Sequence, residues 1–203
     1  MKIICIGRNY SEHAKELNND VPASPVVFLK PKTALLLKGK DFYHPDFSND
    51  IHYECELVVK ICKNGKYIRE KFAQKYYDEV TVGIDFTARD LQQQQKEKGL
   101  PWEIAKAFDN SAVVGDFIKP DDQEKLKNLV FSLYKNGKEV QLGNVQDMIF
   151  TIDKIISYVS QFFSLNTGDL IFTGTPKGVG AIARGDVLEG FLQGEKKFQV
   201  IIK

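Results

Sequence analysis

Ile51-His52-Tyr53-Glu54-Cys55-Glu56-Leu57-Val58-Val59-Lys60-Ile61 sets the architecture of this 203-residue chain. Its residues alternate, with His52, Glu54 and Glu56 on one face of an expected strand and Tyr53, Cys55 and Leu57 on the other. It runs into Asn64-Gly65, a dipeptide that signals a hairpin. The flanks speak the same β language. Ile3 to Ile6, Val26 to Leu29, Val80 to Phe86 and Leu170 to Thr173 are short apolar runs closed by Gly, Pro or polar residues, and Asn136-Gly137 and Gly194-Glu195 each divide a pair of further strands. Helical signals are fewer. Ser11 opens a short helix through Leu17, Asp90 to Lys98 forms a polar one ending at Gly99, and Ile149 to Phe163 carries apolar residues at three- and four-residue spacing behind Asp147 as the expected cap. That last helix is expected to pack on a sheet. Strands outnumber helices and do not alternate with them, so the expected fold is a β-rich α+β domain spanning residues 1–203 and not a doubly wound nucleotide fold.

Composition narrows the function. Lys+Arg 28 against Asp+Glu 27 leaves a net charge of +1 with no basic stripe, so no nucleic-acid partner is expected. No run reaches the roughly 18 apolar residues of a membrane span, and no membrane partner is expected either. Cys5, Cys55 and Cys62 form no CxxC pair; they read as core thiols of a reducing compartment, and the expected location is cytoplasmic.

Glu54 and Glu56, two apart in a strand, project their carboxylates to one side within reach of a common cation. The alternative is a solvated strand face. Against it stands the run that follows, Leu57 to Val59 and Ile61, which belongs in a core, where a carboxylate pair persists only if neutralised or metal-bound. Asp85, a lone acid in Val82-Gly83-Ile84-Asp85-Phe86, offers a third oxygen ligand. Three carboxylates make a hard site that selects magnesium, manganese or calcium over zinc. His52 shares the face but is not expected to be a ligand. His13 and Glu16, three apart on a helix, outline a general-base dyad or an ordinary surface pair. Lys106 stands between Ala105 and Ala107, either snorkelling outward or held as a buried cation. The loop from Gly174 to Gly180 lacks the phosphate-loop spacing and reads as a tight or ligand-contacting loop.

These blocks together resemble the fumarylacetoacetate hydrolase family, especially its short acylpyruvase-like and oxaloacetate decarboxylase-like members. The resemblance runs through Gly7-Arg8-Asn9-Tyr10 with His13 and Glu16, Phe28-Leu29-Lys30-Pro31, Tyr53-Glu54-Cys55-Glu56-Leu57 and Gly83-Ile84-Asp85-Phe86-Thr87-Ala88-Arg89-Asp90-Leu91-Gln92. It continues in Lys106-Ala107-Phe108-Asp109 and Gly168-Asp169-Leu170-Ile171-Phe172-Thr173-Gly174-Thr175-Pro176. Six blocks in the right order are specific where any one is weak. The resemblance implies a fold like that family's C-terminal domain, a layered β structure with few helices.

It further implies that Glu54, Glu56 and Asp85 hold a divalent cation, usually magnesium, that His13 with Glu16 activates water, and that Lys106 is the cationic partner near the metal. Arg8, Lys30, Arg89, Gln92 and Thr175 are implied to line the substrate cavity, and a homodimer is expected. The implied activity is metal-dependent cleavage of a C–C bond in acylpyruvate-type 1,3-dicarbonyl acids, or decarboxylation of oxaloacetate, through a metal-bound enolate of a small keto acid. Two alternatives stay open: a 2-hydroxyhepta-2,4-diene-1,7-dioate isomerase-type proton shift at the same metal site, and a metal-stabilised binding module without turnover.

Overall fold

The computed structural model describes residues 1–16, 20–120 and 126–203. In chain order its strands are β1 (Ile3–Gly7), β2 (Val26–Lys30), β3 (Ile51–Tyr53), β4 (Cys55–Ile61), β5 (Tyr77–Asp85), β6 (Thr87–Ala88), β7 (Ala112–Val114), β8 (Val130–Lys135), β9 (Lys138–Asn144), β10 (Leu170–Phe172), β11 (Gly180–Ala181), β12 (Val187–Leu192) and β13 (Glu195–Ile201). Among the described residues the α-helices are α1 (Ser11–Glu16), α2 (Arg89–Lys98), α3 (Glu103–Lys106) and α4 (Ile152–Phe162). The β-rich expectation is met. Leu17, read as the end of α1, lies outside the described residues, and no described helix is long and apolar enough to cross a membrane.

Six strands form one sheet in the order β2-β1-β10-β4-β5-β7, and four form a second in the order β13-β12-β8-β9. A small third sheet, β11-β3-β6, lies at the end of the first. Register shows what the six-stranded sheet does with its faces. Ile3 opposes Lys30 and Leu170, Cys5 opposes Phe28 and Phe172, Phe172 opposes Val58, and Glu56 opposes Gly83. These residues therefore share one face, together with Asp85 two positions beyond Gly83. On the opposite face Leu57, Val59, Val82 and Ile84 join Phe131, Leu133 and Leu188 of the four-stranded sheet in the main core.

The first face is folded in on itself. A flat sheet would set β2 and β5 roughly 19 Å apart, four strand spacings. Lys30 Nζ nevertheless lies 2.7 Å from Asp85 Oδ1. Leu35, just beyond β2, also bridges in parallel to Ala112 of β7. The sheet thus curls nearly into a barrel, with Ile3, Cys5, Val58, Leu170 and Phe172 as its small apolar filling.

Three local expectations are corrected. The run from Ile51 to Ile61 is two strands in two sheets, because the chain leaves one sheet for the other at Glu54; β5 and β6 part in the same way at Phe86. Asn64-Gly65 makes no tight hairpin: Gly65 exchanges backbone hydrogen bonds with Leu165, Asn64 Oδ1 accepts from the Thr167 amide, and a 3-10 turn at Glu70–Lys75 intervenes before β5. Finally, α4 begins at Ile152, capped by Thr151 Oγ1 accepting from the Lys154 amide, while Asp147 belongs to a separate 3-10 turn. Its buried residues Ile152, Ile155, Ile156 and Val159 join Val59, Ile61 and Val80 of the six-stranded sheet in the main core, as expected, and the helix also lies along the Glu70–Lys75 turn. The turns at Asn136-Gly137 and Gln193-Gly194 have both central residues at positive φ, the twist that a two-residue hairpin needs.

Asn9 ties the loop after β1 to the rest. Fully buried, it donates from Nδ2 to the carbonyls of Thr173 (2.7 Å) and Phe150 (3.0 Å), and its Oδ1 accepts from the Phe150 amide at 2.7 Å. Replacing Asn9 by Ala leaves three buried groups unpaired. The variant is expected to lose about 3 kcal/mol of stability, read as a lower urea midpoint at unchanged slope; a loss under about 1 kcal/mol would contradict this role.

Candidate metal centre and active site

Glu54, Glu56 and Asp85 come together at the mouth of the curled sheet. All three are buried, and one carboxylate oxygen from each lies within 4.8 Å of the others. Glu54 occupies the corner between β3 and β4, where its carbonyl accepts the Asp85 amide at 2.8 Å. Glu56 opposes Gly83, and a Cβ there would meet the Val113 carbonyl at 2.5 Å and Val58 at 2.7 Å. Gly174, at φ 105, donates its amide to Glu56 Oε2 at 2.7 Å.

Cations hold two of the acids. Lys106 Nζ donates to Glu54 Oε2 and Asp85 Oδ2, both at 2.8 Å, and to Thr87 Oγ1 at 2.7 Å, which uses all three of its N–H bonds. Arg89 Nη2 donates to Glu54 Oε1 at 2.6 Å, and Nη1 to Gln92 Oε1 at 2.7 Å. Lys30 approaches Asp85 from below, but its hydrogens are directed to Ser111 Oγ at 2.8 Å and to the Lys106 carbonyl. Its contact with Asp85 Oδ1 at 2.7 Å is an ion pair, and Oδ1 is a buried oxygen without a hydrogen-bond donor among the described residues.

Protonation follows this arrangement. Burial works to raise the pKa of Glu54, yet Lys106 and Arg89 together hold it well below the usual carboxylate range. Glu56 has no such partner, so burial, reinforced by the charges of Asp85 and Glu54, pushes it well above that range. Burial would lower Lys106, but Asp85 and Glu54 keep it above the ordinary lysine value. Hard oxygens from three acids, one of them without a hydrogen-bond donor and another short of cationic support, fit a divalent cation. His52 is apart from them, paired with Asp50 Oδ1 at 2.8 Å.

His13 reaches the same cavity from α1. Its Nδ1 lies 3.2 Å from Glu16 Oε2, and Glu16 also accepts the Gly178 amide, at 3.1 Å. Lys177 pairs with Glu12 at 3.0 Å, so α1 is fastened at two points to the loop that follows β10. Burial lowers the His13 pKa below 6.5 despite the raising effect of Glu54 and Glu16, which leaves the imidazole neutral at pH 7. Arg8 lines the cavity at φ 59, a left-handed backbone that costs a non-glycine residue roughly 1–3 kcal/mol and that the surrounding contacts must enforce.

Of the sequence candidates, Arg8, His13, Glu54, Glu56, Asp85, Arg89, Gln92, Lys106 and Thr175 line one cavity of about 30 Å³. Glu16 stands behind His13. Thr175 contributes no free hydroxyl, since Oγ1 donates to the Cys55 carbonyl at 2.8 Å and accepts from Gln141 Nε2 at 2.9 Å. Lys30 is displaced from its expected place in the cavity wall: it is one layer deeper, 1% exposed, under Asp85. Five wall residues escaped the sequence reading as site residues, namely Ile6, Gly7, Phe28, Lys96 and Trp102. Lys96 had a signal, because Arg89, Gln92 and Lys96 recur at i, i+3 and i+7 on α2 and so share one face. Cys5 and Cys55 are buried, with their thiol pKa values pushed up by that burial; Cys62 is half-buried.

Residues 2–200 match the C-terminal domain family of fumarylacetoacetate (FAA) hydrolase. The chain belongs to the fumarylacetoacetate hydrolase family. Within that family it is 41% identical over 201 residues to the mitochondrial oxaloacetate tautomerase FAHD1 of Mus musculus, covering 99% of this chain and 91% of that protein. It is 39% identical to the mitochondrial oxaloacetate decarboxylase of Dictyostelium discoideum, covering 100% and 94%. The crystal structure of fumarylpyruvate hydrolase from Pseudomonas aeruginosa in complex with Mn2+ and pyruvate superimposes with a TM-score of 0.93 at 36% identity, covering 100% of this chain and 89% of that one. The layered β fold is thus that of fumarylacetoacetate hydrolase family members.

Adding Mn2+ or Mg2+ at about a hundred times its dissociation constant should stabilise the folded chain by about 2.7 kcal/mol, a rise in melting temperature of roughly 5–10 °C. Glu56→Ala is expected to abolish that rise. An undiminished shift in the variant would refute the assignment of this acid as a ligand.

Proposed function

We propose that the protein is a divalent-metal-dependent enzyme that cleaves a C–C bond next to a carbonyl in acylpyruvate-type acids, and that decarboxylates oxaloacetate at the same site. One observation carries this reading: three acids within 4.8 Å of one another and a histidine kept neutral by burial face a single cavity. The relatives named for oxaloacetate chemistry and for fumarylpyruvate hydrolysis support it. Glu54, Glu56 and Asp85 are the residues to hold the cation, which when bound supplies Lewis-acid charge for the keto-acid oxygens and for an enolate.

The chain's own groups divide the remaining work. His13 takes a proton from water, and Glu16 steadies the imidazolium. The resulting hydroxide attacks the distal carbonyl; the C–C bond then breaks with its electron pair passing to the pyruvate side as an enolate, which recovers the proton at carbon. Decarboxylation reaches the same enolate by loss of carbon dioxide and needs no activated water. Lys106, its three N–H bonds committed, acts as a fixed positive charge that orients Glu54 and Asp85. With about 30 Å³ the cavity holds little more than water. Substrate entry therefore requires α1 to swing away from its two fastenings at Lys177 and Gly178, and its return delivers the dyad. Among the described residues this lid is α1, Ser11–Glu16, since Asn9 and Tyr10 ahead of it are buried.

A proton shift is the second reading, favoured by the tautomerase activity in the mouse relative's name. Enol oxaloacetate converted to the keto form without carbon dioxide release, followed by ultraviolet absorbance, would identify it. A homodimer is part of the proposal. Met1, Phe47 and Ile104, 47%, 53% and 64% exposed, line an open apolar groove of about 930 Å³. α3 sends Ile104 into that groove and Lys106 into the site, so a second copy seated there, across the common two-fold, would brace the site from behind.

Purified protein with magnesium should turn over acylpyruvates or oxaloacetate, and a chelator should stop it. In His13→Ala, acylpyruvate hydrolysis is expected to fall by about 10²–10⁴-fold while decarboxylation falls far less. Because protonated His13 cannot act as a base, hydrolysis should rise with pH through a value below 6.5 and then level off. Equal loss of both reactions would contradict the division of labour. Light scattering should give twice the chain mass, and Ile104→Glu should give monomer; a monomeric parent protein would overturn the dimer.

A further inference from the structure

The charges in the cavity do not balance until something else enters. Glu54 and Asp85 are contacted by Lys106, Arg89 and Lys30, so every cation near the acids is matched to one of them. Arg8 and Lys96 also line the cavity, half-buried, and among the described residues neither side chain makes an ion pair or side-chain hydrogen bond. The Lys96 ammonium is held 5.7 Å over the Trp102 ring, which fixes it at the wall instead of letting it snorkel into water. On α2, Arg89 and Gln92 serve the acidic end and are bonded to each other, while Lys96 follows one turn further along the same face. Burial, with the neighbouring guanidinium groups of Arg8 and Arg89, lowers the Lys96 pKa against the raising effect of Glu54.

Taking the keto-acid reading above as the basis, we propose that Lys96, together with Arg8 on the same cavity wall, forms an anion subsite that selects keto acids carrying a second carboxylate at the far end from the three acids. The acidic end receives the α-keto carboxylate. One helical turn away, the two unmatched cations receive the other. Lys96 is on this account the residue that separates dicarboxylic substrates from those with an apolar tail.

The test uses inert ligands, so that it stands apart from turnover. Binding of 2-oxoglutarate and of 2-oxopentanoate, which differ in a terminal carboxylate against a methyl group, is measured by calorimetry on the manganese-loaded protein. The dicarboxylate should bind the parent protein at least about tenfold more tightly, the size of effect expected of a charge-assisted pair. Lys96→Met should bring the two affinities to within about twofold of each other by weakening only 2-oxoglutarate, Lys96→Arg should restore the preference, and Lys96→Glu should invert it. Oxalate, which reaches only the acidic end, should bind all of them alike and report that the site is folded. Equal affinities in the parent protein, or a Lys96→Met variant that weakens both keto acids by the same factor, would overturn the subsite.

Discussion

Three ionised carboxylates within 4.8 Å of one another would repel by about 3 kcal/mol per pair at the effective dielectric of a protein interior. Everything around Glu54, Glu56 and Asp85 answers that repulsion. Lys106 bridges two of them, Arg89 engages the outer oxygen of Glu54, and Lys30 stands beneath Asp85. Glu56 receives only a backbone amide, from Gly174. The three cations thus serve only Glu54 and Asp85, and Glu56, left without a cationic partner, is where the proposed divalent cation would complete the set.

The fold supplies these partners from distant parts of the chain. Lys30 comes from β2 at one edge of the sheet and meets Asp85 only because the sheet curls. The corner at Glu54 and the parallel break at Phe86 carry β3 and β6 into a separate sheet, which opens the mouth in which the acids lie. Gly83 and Gly174 allow backbone to approach where any side chain would collide. Stability and chemistry are coupled at this point, since loosening the curl would strand Asp85 without its buried ammonium.

Much of this could be read from the residues. Acids interrupting apolar strands at 54, 56 and 85 point to a hard-oxygen site, because buried carboxylates persist only if neutralised or metal-bound. The hairpin at Asn136-Gly137 follows from turn chemistry, which is local, whereas the last turn falls at Gln193-Gly194, one residue ahead of the Gly194-Glu195 expected. What stayed hidden depends on distance in sequence. Lys30 resembles a cavity residue until its strand is wrapped round to Asp85, and Asn64-Gly65 is drawn from its turn by Leu165 and Thr167, a hundred residues on. Lys96 was concealed in a polar helix whose solvent-facing glutamines dilute the pattern that Arg89 and Gln92 begin.

The most direct measurement of the central claim is the anomalous diffraction of crystals grown with Mn2+ and oxalate. A single strong peak about 2.1 Å from one oxygen each of Glu54, Glu56 and Asp85, with oxalate completing the coordination, is the result expected. An empty cluster at saturating manganese, or a peak bound to other acids while Glu54 and Asp85 stay closed on Lys106 and Arg89, would show that the carboxylates are a structural ion network and not a metal centre.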